Sequence, residues 1–348
     1  MKSVLVTGGA GFVGSNIVIA LKKHKENIRV VVLDNLLRRG SEGNLFTLEK
    51  YGIEFIHGDV RIADDLQRAG KIDFLVECSA EPSVLAGSDG SPGYVIQTNL
   101  NGAVNCAEYC RQYNAGLLFL STSRVYSIDS LKDMKISEGK TRFELSGEQS
   151  VDGLSIKGVS EECSVQGFKS FYGASKIAAE FMLEEYRYLF DWPVIINRCG
   201  LIAGPGQFGK ADQGIISFWL NSHLEKNSLK YIGFGGSGKQ VRDATHIDDL
   251  VRLVILQMTK PEKFKKDVFN VGGGLKSSFS LLELTNLCRE ITGNKLDIAG
   301  ELTERYADIP VYLSDTTKIN QLCEWKSELN IEDIIQDVYN WLIDRRNL

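Results

Sequence analysis

Short apolar runs at residues 3–7, 29–33, 74–76 and 117–120 alternate with longer stretches in which apolar positions return every three or four residues. An unbroken apolar run bounded by turn residues fits a strand buried on both faces, and the longer spacing is that of an amphipathic helix. The pattern therefore predicts strands over those runs and over 53–57. It predicts helices from the glycine-rich turn after residue 7 to about 23, near 63–69 and over roughly 94–113. Strand and helix in alternation give an α/β fold with a doubly wound parallel sheet, whose ligands gather at the carboxyl ends of the strands.

Further along, residues 128–169 are rich in Ser, Gly, Glu and Lys and poorly periodic, as expected of a long excursion over an active-site mouth. A helix to about 190 and a strand over 193–197 follow. Past the turn at 204–206 the alternation breaks down, with helices expected near 214–225, 247–258, 281–292 and 331–345. The division expected is a nucleotide-binding domain, 1–198 plus about 239–262, interleaved with a smaller α/β substrate-binding domain, about 199–238 plus 263–348.

Composition narrows the partners. The 348 residues carry a net charge of -5, so nothing suggests a broad nucleic-acid surface. There is no 18-residue apolar run and no basic, apolar leader before the first strand, so no membrane association and a cytoplasmic protein are expected. Seven cysteines, among them Cys78, Cys106, Cys110 and Cys199, are an odd and scattered set that reads as reduced packing thiols. His24, His57, His223 and His246 have no metal-ligand spacing, and no metal is expected.

The first strand runs into Gly8-Gly9-Ala10-Gly11-Phe12-Val13-Gly14. Glycines at this spacing allow a tight turn and close backbone approach, so the next helix can receive a pyrophosphate at its N-terminus. The second run ends at Asp34, 20 positions beyond Gly14. A carboxylate there accepts from ribose hydroxyls and repels a 2′-phosphate, which favours NAD over NADP. Arg38 and Arg39 could receive such a phosphate, but they stand several residues past the strand end. Asp59-Val60, after another strand end, can meet the adenine amino group.

Tyr172 and Lys176 lie four apart, on one face of a helix. A nearby ammonium favours the phenolate, which could then take a proton from a substrate hydroxyl. The plainer reading is a half-buried ring beside a solvated charge. Thr122 follows the fifth apolar run and would open into the cofactor crevice or simply cap its strand.

Taken in order, the motifs Thr7-Gly8-Gly9-Ala10-Gly11-Phe12-Val13-Gly14, Asp34-Asn35-Leu36, Gly58-Asp59-Val60-Arg61, Asn99-Leu100-Asn101-Gly102, Ser121-Thr122-Ser123-Arg124-Val125-Tyr126 and Tyr172-Gly173-Ala174-Ser175-Lys176 resemble the extended short-chain dehydrogenase/reductases that act on nucleotide-activated sugars. The resemblance spans nearly the whole chain and implies a Rossmann sheet, NAD as cofactor and a homo-oligomer. It implies Thr122, Tyr172 and Lys176 as the catalytic triad. Gly8, Gly11, Phe12, Val13, Gly14, Asp34, Asn35, Asp59, Val60, Ala80 and Asn99 would line the cofactor together with Tyr172 and Lys176.

Gly238-Lys239-Gln240-Val241-Arg242-Asp243 and Arg305-Tyr306-Ala307-Asp308 resemble family segments that grip a sugar nucleotide's diphosphate, so Gln240, Arg242 and Arg305 are implied substrate residues beside Thr122. Arginine suits the task because its planar fork donates two hydrogen bonds to phosphate oxygens; surface salt bridges to Asp243 and Asp308 are the alternative. The stretch from Asp34 to Gly40, Lys157 to Glu161, and Asp212-Gln213-Gly214 narrow the resemblance further.

The implied activity is NAD-dependent epimerisation of a CDP- or UDP-sugar. A 4,6-dehydratase is disfavoured because the resemblance would put Asp-Glu after the threonine, where Ser123-Arg124 stand. A non-catalytic NAD sensor is the alternative of another kind, disfavoured by an intact Tyr172 and Lys176.

Overall fold

The computed structural model describes residues 1–88, 90–210, 213–305 and 307–346, so Asp212 and Tyr306 lie outside the described residues. The chain divides into two compact units, Met1–Val125 with Phe171–Arg198 and Val251–Val268, and Tyr126–Ser170 with Cys199–Leu250 and Phe269–Leu348.

The first unit is built on strands β1 (Ser3–Thr7), β2 (Arg29–Asp34), β3 (Glu54–His57), β4 (Phe74–Glu77), β5 (Gly116–Thr122) and β6 (Val194–Cys199). A seventh, β7 (Val268–Val271), carries the chain on into the second unit. The sheet order is β7-β6-β5-β4-β1-β2-β3, and β1 pairs in parallel with both β2 and β4. The order reverses between β1 and β4, which makes their carboxyl ends the switch point where a doubly wound sheet binds its ligand. Valines and leucines without a polar interruption make β1 and β2 buried on both faces, as the runs predicted.

Helix α1 (Phe12–His24) follows β1, α2 (Gly102–Tyr113) precedes β5, and α3 (Phe171–Phe190) precedes β6. They pack apolar stripes on the sheet, with Cys106, Ala107 and Cys110 from α2 and Ala179 and Leu183 from α3 in one core with Leu117 and Phe119 of β5. The single helix expected over about 94–113 is three pieces: Gly93–Ile96, a π-helical turn Gln97–Asn101, and α2. Such turns are rare and often lie at functional sites, and this one holds the buried Asn99.

In the second unit, Val241–His246 pairs with Leu201–Ala203, Ser278–Ser280 and Val311–Tyr312. Ile215–Glu225, Leu281–Thr292 and Ile331–Arg346 supply its helices. Trp219, Leu220, Leu284, Ile334 and Val338 lie together in its core.

Three stretches fall on the other side of the division from the one expected: residues 126–170 and 239–250 belong with the second unit, and 263–268 with the first. The reason is hydrogen bonding that composition does not reveal. Phe143 N–H donates to Lys239 O at 2.9 Å, Val159 N–H to Leu313 O at 2.8 Å, and the Arg142 guanidinium to Glu283 and Ser278. The excursion over 128–169 holds a short helix, Ile128–Lys132, and two small hairpins.

Candidate active site

At the end of β1 the chain turns on glycines because nothing larger fits. Gly8 sits at φ 62°, and a Cβ there would meet Cys78 and Ser79 backbone at 2.8–2.9 Å. At Gly14 a Cβ would stand 2.5 Å from Gly8 O and Gly9 Cα, so the first turn of α1 lies against the glycine turn itself. Gly11 is the N-cap of α1, has no side-chain cap, and the first turn carries no acidic residue. The leading N–H groups, from Phe12, Val13 and Gly14, are thus open to an anion, and the cradle has the form a pyrophosphate requires.

Asp34 ends β2 beside that turn. Its Oδ2 accepts from Ala10 N–H at 3.0 Å and its Oδ1 from Leu36 N–H at 2.8 Å. Burial pushes its carboxyl up from the ordinary value, and the N–H groups of Leu36, Ala10 and Gly11 oppose it. Asn35 donates to Asp59 at 2.9 Å, which links the two predicted adenosine residues. Asp59 also accepts from the Arg61 guanidinium at 2.7 Å and from Arg61 N–H. Burial raises its carboxyl, but these donors outweigh burial and hold it at about 2. Val60 is buried, its carbonyl fixed by Asn105 of α2.

Asn99 joins three segments. Its amide donates to Glu81 O and to Ser175 Oγ, both at 3.1 Å, and its carbonyl accepts from Glu81 N–H at 2.8 Å. Ser175 Oγ in turn donates to Tyr172 O. The loop after β4, with half-buried Ala80, is thereby tied to the turn of α3 that carries Tyr172.

Thr122 closes β5, buried, and its hydroxyl accepts from Arg124 N–H at 3.2 Å. Tyr172 and Lys176 are buried on the first turns of α3. Two contacts clasp helix to strand. Lys176 Nζ lies 4.2 Å from the Phe119 ring centroid, and Ser121 donates to Glu180, one turn beyond Lys176. Arg198 of β6 completes the second clasp at 2.7 Å from Glu180. The three residues of the implied triad thus sit on two elements clasped together one residue from Thr122 and one turn from Lys176.

Sequence reasoning missed Glu77. It ends β4, is buried, and its Oε2 is 3.5 Å from Lys176 Nζ. Burial pushes its carboxyl up, while Lys176 and Ser79 N–H pull it back. The only signal was a charged residue ending an apolar run, and its partner lies 99 positions away.

The second unit holds the implied substrate residues. Arg242 donates to Asp308 at 2.7 Å and to Ile309 O at 2.8 Å, so Asp308 is the ion-pair partner that the sequence left as an alternative. Asp243 is instead buried, accepting from Gly274 and Ser314 N–H groups. The Arg242–Asp308 ion pair joins the two arginine segments, and within the second one Asp308 N–H donates to Arg305 O at 3.2 Å. The Arg305 residue itself is exposed. Gln240 donates to Ile232 O at 3.3 Å, and its buried Oε1 has no hydrogen-bond partner among the described residues.

Among the described residues no helix is long and apolar enough to cross a membrane, and no group of His, Cys, Asp or Glu could hold a metal.

Residues 4–272 match the model of the NAD dependent epimerase/dehydratase family. CDP-paratose 2-epimerase of Salmonella typhi is 32% identical over 345 residues, 97% of this chain and 98% of that one. Among solved structures, Pal from Bacillus thuringiensis superposes with a TM-score of 0.81 at 25% identity, covering 99% of both chains. UDP-glucuronic acid 4-epimerase from Bacillus cereus, solved with UDP-glucuronic acid and NAD, shares the fold with a TM-score of 0.80 at 24% identity, again over 99% of both chains. The chain belongs to the NAD dependent epimerase/dehydratase family and is an NAD-dependent enzyme with a Rossmann sheet.

Proposed function

We propose that the protein epimerises a nucleotide-activated sugar, CDP-paratose to CDP-tyvelose, at C2. The observation that carries this reading is a similarity to CDP-paratose 2-epimerase running over 97% of the chain; a threonine at the end of β5 and a tyrosine and lysine on the first turns of the helix clasped to that strand support it. When bound, NAD would supply the hydride acceptor and donor for a transient oxidation of the sugar carbon.

The chain's own residues do the rest. Tyr172 takes the proton of the sugar hydroxyl and later gives it back. Thr122 hydrogen-bonds the same oxygen, and Lys176 holds the nicotinamide ribose while favouring the phenolate. The turn from Gly8 to Gly14 receives the pyrophosphate, with Asp34, Asn35, Asp59 and Val60 around the adenosine and Ala80 and Asn99 beside the cofactor. In the second unit Gln240, Arg242 and Arg305 bind the diphosphate. A homo-oligomer in the cytoplasm is part of the same proposal, supported by the exposed Phe181, Met182, Leu189 and Phe190 on α3.

UDP-hexose 4-epimerisation is the second reading, favoured by a 25% identical relative from Methanocaldococcus jannaschii described as a putative UDP-glucose 4-epimerase. Assays of CDP- and UDP-sugars side by side decide between them. Inversion at C2 of CDP-paratose, with no solvent deuterium entering that carbon, is expected. Turnover of UDP-hexoses alone would overturn the C2 assignment.

A further inference from the structure

Of the side chains around the reacting groups, Glu77 has no part in the chemistry above, yet it stands at its centre. The strand registers put Glu77 opposite Thr7 of β1 on one side and Phe119 of β5 on the other. It therefore ends its strand at the switch point, between the glycine turn and the strand of Thr122. The side chains of Glu77 and Lys176 are each 2% exposed, so water does little to screen the 3.5 Å between them. Lys176 also covers the Phe119 ring face, which fixes its ammonium from a second side.

We propose that Glu77 is a positioning residue: it holds the Lys176 ammonium at the end of β4 and sets how much of that charge reaches the Tyr172 phenol. The inference rests on the reading of Thr122, Tyr172 and Lys176 given above. An ammonium with a carboxylate at its back is part of a nearly neutral pair, and it stabilises a phenolate on its own helix less than a lone ammonium does. The carboxylate thus keeps the lysine in place at some cost in phenol acidity.

The other groups facing the pair do not compete for the role. From α2, the Cys106 thiol is pushed well above its ordinary value by burial and then by Glu77, so it stays protonated, as does the Cys110 thiol, raised by burial. From β1 comes the Thr7 hydroxyl, from β5 the Phe119 ring, and from α3 Lys176 and Tyr172 themselves.

The test reads the phenol directly, in the ligand-free full-length protein. The near-ultraviolet absorbance of phenolate is titrated for the wild type and for each variant, each against the same protein carrying Tyr172→Phe, which isolates one of the 12 tyrosines. Lys176→Met should raise the Tyr172 midpoint. Glu77→Gln, which keeps the shape and an acceptor for the ammonium, should lower it by about one pH unit. Glu77→Asp keeps the charge but draws it back from Nζ, and should lower the midpoint less; it serves if Glu77→Gln does not fold. In the Lys176→Met background the effect of Glu77→Gln should shrink.

A midpoint unmoved or raised by Glu77→Gln, with Lys176→Met still raising it, overturns the role of Glu77 alone. An effect of Glu77→Gln undiminished by Lys176→Met makes it direct and also overturns the positioning role. If Lys176→Met leaves the midpoint where it was, the reading of the reacting groups fails as well.

Discussion

Arg198 Nη2 lies 2.7 Å from Glu180 Oε2, with the two side chains 8% and 1% exposed. Burial pushes the Glu180 carboxyl up, and Arg198 and Ser121 oppose it. The pair ties the helix of Tyr172 and Lys176 to β6, and Ser121 ties the same carboxylate to β5. Removing one partner strands the other charge in the core, so Glu180→Ala should cost about 3–5 kcal/mol in denaturant unfolding. Glu180→Leu with Arg198→Met should cost much less, and its turnover should still fall because the helix loses its fixed height on the strand.

At Gly14 a methyl group has nowhere to go, since the Cβ would stand 2.5 Å from Gly8 O. Gly14→Ala should displace the glycine turn, weaken NAD binding at least about tenfold and destabilise the protein by about 1–3 kcal/mol. Calorimetric titration with NAD and thermal melts check both. Gly52→Ala, where φ is 62° but no atom lies within 4 Å, should leave NAD affinity unchanged.

The Asp59 carboxyl, held at about 2 by Arg61 and Asn35 against burial, gives a pH dependence with a definite sign. A folded-state value below the unfolded one, near ~3.9, means the unfolded chain binds the proton more tightly. The stabilisation is therefore complete above about pH 4 and is lost as pH falls toward 2. In Arg61→Gln the carboxyl should titrate closer to its unfolded value, so the variant should be less stable than the wild type above about pH 4 and should lose less stability as pH falls toward 2. Denaturant unfolding across that range measures it.

Arg242 is already paired, at 2.7 Å from Asp308, which orients its fork and limits its charge. Arg242→Met should raise KM for the sugar nucleotide by about tenfold or more with NAD affinity unchanged. Arg242→Lys should not restore it, because an ammonium cannot keep the bond to Asp308 and offer a planar fork to phosphate. A KM unaffected by either variant would remove Arg242 from the diphosphate site.

What the sequence determined by itself is what short-range spacing determines. Glycines at 8, 11 and 14 dictate a turn before a helix, Asp34 must fall at a strand end, and a tyrosine and lysine four apart must share a helix face. The alternating apolar runs likewise dictate a parallel sheet. The tertiary structure alone decided which distant charges meet. Lys176 finds Glu77 across 99 positions and Arg242 finds Asp308 across 66, because strand order and helix packing bring them together. It also decided that 126–170 sides with the second unit, through backbone bonds to Lys239 and Leu313. Local geometry fixes which way a side chain points, whereas the partner it meets depends on how the whole chain closes on itself.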